Sequence, residues 1–214
     1  DSEGTYRRDA RFWKAEAAFK SGDAKPAEAE FAALAAEPSA ETDFPRLAPT
    51  ARARRVQCLA QLNRWEDTIA AADAFLASDP TDPLAPEADY ARGRACQGLA
   101  RFDEARESFD RVITARKATE LAARAQLMKG ETYFHQQKYK EALPEYYRVI
   151  IQYDAPEWQA LALFEAGKVH EKLDQWKEAA ESYEKLQAQF PKDRNVEEAG
   201  KRLEAARGKI GKST

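Results

Sequence analysis

The chain has 214 residues, 34 basic against 37 acidic, with 43% hydrophobic and 33% charged side chains, enough material for a substantial core. A net charge of −3 removes the electrostatic footprint expected of a nucleic-acid binder. No apolar run approaches the roughly 18–20 residues that a membrane-spanning helix needs.

Ala, Glu, Lys, Arg and Leu dominate, and these residues favour helix over sheet. The chain opens Asp1-Ser2-Glu3-Gly4-Thr5, without Met and without a basic-then-apolar leader, and so reads as a processed or excised product. Cys58 and Cys96 stand in no C-x-x-C pair. They read as two small buried side chains. A disulfide in an oxidising compartment is the alternative, although their helical phases differ by one residue.

In chain order, the first candidate unit spans 8–38 and is carried by Ala27, Phe31 and Leu34. A Pro- and Thr-containing connector, Pro38–Pro49, follows it. The second unit, 49–80, places Val56, Thr68 and Ala72 at the offsets that recur downstream. Units 86–117, 123–154 and 160–191 repeat a small residue, an Ala and an aromatic. These are Gly93, Ala105 and Phe109, then Gly130, Ala142 and Tyr146, then Gly167, Ala179 and Tyr183. The three glycines recur every 37 residues, whereas the step from Ala27 to Thr68 is 41. Matched offsets at one period are the signature of a stacked repeat array.

Each unit reads as two amphipathic helices. In the last unit they run from about Trp158 to Leu173 and from Trp176 to Phe190, with Leu161, Phe164, Val169 and Leu173 at helical spacing. Pro80, Pro156 and Pro191 are expected to end second helices. Gly167 and Ala179 are small where paired helices should approach closely. Phe109, Tyr146 and Tyr183 are expected to wedge one unit onto the next. One helix pair cannot bury its apolar face alone, so the stack is the folding unit. A last helix, Val196 to Arg207 within 193–208, reads as a polar cap.

This pattern resembles the tetratricopeptide repeat (TPR) family. The family motif asks for a small residue at position 8, an aromatic at 11, Ala at 20, an aromatic at 24 and Pro at 32. The last unit supplies Gly167, His170, Ala179, Tyr183 and Pro191. The fourth supplies Gly130, Tyr133, Ala142 and Tyr146, and the third Gly93, Cys96, Ala105 and Phe109. Trp is missing at position 4, where Asp89, Gln126 and Leu163 stand. The resemblance implies an all-α, right-handed α-solenoid over residues 1–214, with about five helix pairs and a C-terminal capping helix. The 37-residue period and endings such as Gln189-Phe190-Pro191-Lys192-Asp193 resemble bacterial periplasmic and outer-membrane-associated versions of the repeat.

The family resemblance implies a protein or peptide ligand on the concave face of the first helices. Positions 2, 5, 9 and 12 of each unit are expected to point there. The third unit then offers Tyr90, Arg94 and Gln97. The fourth offers Arg124, Leu127, Glu131 and Phe134, and the fifth Leu161, Phe164, Lys168 and Glu171. Leu127 and Phe164 are equally readable as packing between helices. A carboxylate clamp for acidic tails would need Asn at position 9, where Gln57, Arg94, Glu131 and Lys168 stand. Arg52, Arg54 and Arg55 spread over more than one helix face and read as solvated ion-pair partners.

No catalytic constellation emerges. His170 takes the aromatic position of the motif, and Glu131 with His135 offers two metal ligands without a third. Neither a phosphate-binding Gly-rich loop nor a G-x-S-x-G elbow is present. The expectation is a non-catalytic scaffold without cofactor or metal, in a bacterial cell envelope. The alternatives are a cytoplasmic adaptor for a regulatory peptide, or the repeat region of a larger enzyme.

Overall fold

The computed structural model describes residues 2–37 and 47–211, with side chains from residue 7 onward. Residues 38–46, most of the expected Pro38–Pro49 connector, lie outside the described residues. Among the described residues the fold is all-helical, with eleven helices and no strand. They are α1 (Ser2–Lys20), α2 (Ala24–Ala36), α3 (Leu47–Gln61), α4 (Trp65–Ser78), α5 (Ala85–Gly98) and α6 (Phe102–Ala115). After them come α7 (Glu120–His135), α8 (Tyr139–Gln152), α9 (Pro156–Lys172), α10 (Trp176–Gln189) and α11 (Val196–Ile210). The chain divides into two compact units, Asp1–Arg111 and Val112–Thr214.

Every odd-numbered helix from α1 to α9 is joined to its successor by the same three-residue turn. A residue in the left-handed region occupies its centre: Gly22 at φ 86°, Asn63 at 55°, Ala100 at 57°, Gln137 at 58° and Asp174 at 57°. The last four recur every 37 residues, and Gly22 lies 41 before Asn63, the irregular step already present in the sequence. At each turn the next residue donates its N–H to the carbonyl five residues back. The pairs are Asp23 to Ala18, Arg64 to Leu59, Arg101 to Cys96, Lys138 to Tyr133 and Gln175 to His170, at 2.8–3.0 Å. This Schellman arrangement satisfies carbonyls that a helix C-terminus otherwise leaves unpaired.

Within the pairs, helix approach is set by a glycine beneath an aromatic ring. A Cβ added to Gly93 would stand 2.6 Å from the Phe109 ring, one at Gly130 2.7 Å from Tyr146, and one at Gly167 2.4 Å from Tyr183. Each of these aromatics seats on the glycine of its own pair. The wedge contact comes in addition. Tyr146 shares a core with Ala162, Ala166 and Val169 of α9, and Tyr183 with Ala199, Leu203 and Ala206 of α11. In the first compact unit Trp65 of α4 meets α5, lying 2.8 Å from where a Cβ on Gly98 would be.

Where the family motif has Trp, two pairs carry a polar clamp instead. Asp89 of α5, 6% exposed, accepts from Arg111 Nε of α6 at 2.7 Å. Gln126 of α7 donates to Glu145 of α8, which also holds Arg148 at 2.5 Å and Lys129 at 3.7 Å. Burial raises the Asp89 carboxyl above its ordinary range even though Arg111 and Arg92 pull the other way.

Pro156 does not end a second helix. α8 stops at Gln152 and Pro156 opens α9, where a fixed φ and a missing N–H are tolerated. Pro80 and Pro191 do follow the ends of α4 and α10.

Adding a methyl at Gly167 must push the Tyr183 ring, an overpacking cost of about 1–3 kcal/mol. Gly208 meets nothing within 4 Å, so there the helix-propensity gain of about 0.5–1 kcal/mol is unopposed. Gly167→Ala should therefore lower the urea midpoint and Gly208→Ala raise it. At the turn of α5 and α6, Ala100→Gly should stabilise by about 0.5–1 kcal/mol. It relieves a left-handed strain of about 1–2 kcal/mol against glycine's entropy. An unchanged or lower midpoint would contradict the turn geometry.

Candidate functional site

The expected contact residues fall in different compact units and are taken separately. In the first, Tyr90 is half-buried with its ring tilted against Phe109 at 5.9 Å. Arg94 is exposed and Gln97 half-buried. The Arg52, Arg54 and Arg55 group is largely committed to internal pairs. Arg54 grips both oxygens of Glu16 at 2.8 and 2.9 Å and covers the Phe19 ring at 5.3 Å, and Arg55 pairs with Glu28 at 2.9 Å. Arg52 remains exposed.

In the second unit the structure brings together Phe134, Phe164 and Lys168. Phe134 comes from the end of α7, while Phe164 and Lys168 share one face of α9, four residues apart. The Lys168 ammonium lies 5.3 Å from the Phe134 ring centre and 5.5 Å from that of Phe164, and it pairs with Glu165 at 2.7 Å. Arg202 of α11 continues the series, 5.9 Å from the Phe164 ring and ion-paired to Glu171 at 2.8 Å and Glu198 at 3.0 Å. All of these aromatic and cationic side chains are half-buried. They form an alternating ladder of ring, cation, ring and cation, in which each cation is held in place by a carboxylate.

The other expected residues lie around this ladder. Leu161 is half-buried against the core shared by α7, α8 and α9. Arg124 stands at the start of α7 with its guanidinium 5.2 Å from the Trp158 ring, whose Nε1 donates to Glu120 at 3.1 Å. Glu131 is half-buried. Leu127 is a correction: it is fully buried among Ala142, Tyr146, Val149, Ala162, Ala166 and Val169 and presents nothing to a ligand. Its position in the unit faces the neighbouring helix pair because α9 packs directly over it.

Two participants escaped the sequence reading. Arg202 lies in the helix read as a terminal cap. Extending the 37-residue phase across α11 sets it in register with Glu165, outside the positions expected to face a ligand, so the repeat gave no signal for it. The Tyr183 hydroxyl, 12 residues beyond Glu171, donates to that carboxylate at 2.7 Å. Burial, then this bond, push the phenol well above its ordinary range.

The histidines take structural or solvent positions. His170 is buried between Tyr147, whose hydroxyl lies 2.8 Å from Nε2, and Gln175, whose Oε1 lies 2.7 Å from Nδ1. An amide oxygen only accepts, so Nδ1 carries the proton and Nε2 accepts from Tyr147. His135 is exposed. Among the described residues no group of three or more His, Cys, Asp or Glu could hold a metal ion. No described helix is long and apolar enough to cross a membrane.

Cys58 and Cys96 are buried free thiols. Desolvation, with smaller contributions from Glu28 and Glu16, pushes Cys58 up to about 12. At pH 8 this leaves about one thiolate in ten thousand. Native protein should release almost no thionitrobenzoate from Ellman's reagent at that pH, and two equivalents in denaturant. Rapid native reaction would mean that these helices open readily.

Models of the tetratricopeptide repeat match residues 54–113 and 90–157, and a second such model matches 161–193. Among curated proteins, none matches the chain. Among solved structures, MamA residues 41-end from Desulfovibrio magneticus aligns with a TM-score of 0.67 at 17% identity, over 85% of this chain and 94% of that one. A thermophilic TPR protein of Thermus thermophilus aligns at 0.62 and 15% identity, over 92% and 98%. YrrB, described as a TPR protein with an unusual peptide-binding site, aligns at 0.62 and 18% identity, over 89% and 90%.

Proposed function

Because the chain belongs to the tetratricopeptide repeat family, we propose that it is a non-catalytic scaffold that holds a segment of a partner protein, and that it works in a bacterial cell envelope. The carrying observation is the ladder of Phe134, Lys168, Phe164 and Arg202 on the α7, α9 and α11 face. TPR folds suggest protein or peptide partners, and one structural neighbour is described as having a peptide-binding site. The ladder gives apolar rings fixed in orientation by charges, so a bound segment meets a face that needs little ordering. Side chains docked between the rings would supply most of the affinity, and the cations would set register. The 37-residue period supports the envelope setting, as it did in the sequence.

The test is a pull-down from fractionated source cells with wild type, Phe164→Asp, and Glu141→Lys as a control at an exposed position on α8. Wild type and Glu141→Lys should capture the same protein from an envelope fraction. Phe164→Asp should lose at least nine-tenths of that capture while keeping its helical circular dichroism. Equal capture by folded Phe164→Asp would move binding off this face. Capture from the cytosolic fraction alone would overturn the envelope setting.

A further inference from the structure

Between α10 and α11 runs an open groove of about 640 Å³, lined by Glu184 and Gln187 of α10 and by Gly200, Leu203, Glu204 and Arg207 of α11. One 37-residue step back, Gln187, Gly200 and Glu204 become Ile150, Leu163 and Gly167. Those three are covered by α10: Ile150 and Leu163 share a core with Ala179 and Tyr183, and the Tyr183 ring rests on Gly167. Among the described helices none follows α11 to cover the groove in the same way.

The lining differs from the seat that α10 fills. Where Gly167 receives a ring, Glu204 carries a carboxylate. Arg207 donates to Glu204 and, across the groove, to Glu184, each at 3.0 Å. Two carboxylates against one guanidinium leave the groove net acidic. Its floor is open at Gly200, where an added Cβ would meet only the Gln187 amide nitrogen, at 3.0 Å. An occupant therefore needs cations for the walls and a flat apolar group for the floor.

Helix α1 presents that combination. Its exposed side chains, among those described, are Arg7, Ala10, Trp13, Lys14, Ala17 and Lys20. At 3.6 residues per turn they fall within one arc of about 140°. Three are cations and none is a carboxylate. Trp13 is 54% exposed, one of two large apolar side chains standing so far out among the described residues. Ala10 and Ala17, a turn before it and a turn after, are small enough to let another helix approach. An indole laid on a helix glycine is a contact that the chain already makes, at Trp65 and Gly98.

We propose that α1 of one molecule docks in the α10 and α11 groove of a second copy, with Trp13 over Gly200 and with Arg7 and Lys14 facing Glu184 and Glu204. The two surfaces differ, so the contact is heterologous and association runs head to tail. It uses no residue of the Phe134, Lys168, Phe164 and Arg202 ladder, so self-association and partner capture are separate activities.

Sedimentation velocity of the full chain, at up to about 100 μM, reads the assembly. Wild type should rise progressively above the 24.1 kDa of one chain as concentration increases. In about 1 M salt, where charges are screened beyond roughly 3 Å, it should associate at least tenfold more weakly. Trp13→Glu and Gly200→Gln should each stay monomeric with unchanged helical circular dichroism. The first adds a charge at an exposed position, and the second meets only the movable end of Gln187. Mixed in equal amounts, the two variants should form a dimer and nothing larger, because one keeps its groove and the other its α1. Phe164→Asp should associate as wild type does. Wild type that stays monomeric throughout would overturn the proposal, as would a mixture of the two variants that fails to pair. A dimer that Gly200→Gln leaves intact would also overturn it and set α1 against α1. Association abolished by Phe164→Asp would place the contact on the ladder instead.

Discussion

The distance between paired helices is decided by one contact, an aromatic ring pressed onto the backbone of a glycine 16 residues earlier. Gly93 beneath Phe109, Gly130 beneath Tyr146 and Gly167 beneath Tyr183 each leave no room for a methyl. Much else follows from that approach. The close-set helices bring small residues such as Ala142 and Ala179 into the core. They leave the far sides of Tyr146 and Tyr183 free to meet α9 and α11. They also fix where a phenol oxygen can reach, so the same seat yields a satisfied bond at Tyr183 and an unsatisfied one at Tyr146.

Polar chemistry inside the pairs takes the place of bulk. Asp89 with Arg111, and Gln126 with Glu145 and Arg148, span helix pairs where the family motif places a large indole. Such buried pairs are poor sources of net stability, since desolvation offsets most of their attraction. They do constrain helix register, because breaking one partner leaves a buried charge alone. Leu163 fills the equivalent place in the last pair with an apolar side chain, so the array mixes the two solutions.

The repeat was legible because its determinants are local and periodic. A glycine, an alanine and an aromatic at fixed offsets announced the helix pairs, and the 41-residue step announced the irregular first connection. The candidate face was legible only in part. Phase alone put Phe134, Phe164 and Lys168 on one face, and the structure does bring these side chains together. Leu127 was misplaced because phase gives direction from the helix axis but not which directions the next helix covers. Arg202 was missed because it stands in register with Glu165, off the positions that phase assigns to the face, and only the packing of α11 brings it to Phe164. The polar clamps were invisible, since pairing Asp89 with a residue 22 positions away requires the helix approach to be known first.

The five identical turns also decide where the chain can change length. Each has three residues, a left-handed centre and a bond to the carbonyl five back, so one added residue would break the cap and rotate the following helix off its glycine. Among the fully described connections from one pair to the next none carries that lock, and their lengths run from three residues between α8 and α9 to six between α4 and α5 and between α10 and α11, while ten residues separate α2 from α3. Drift in repeat length is therefore channelled into every second connection. A family built this way can vary the spacing between its units while each hairpin stays invariant.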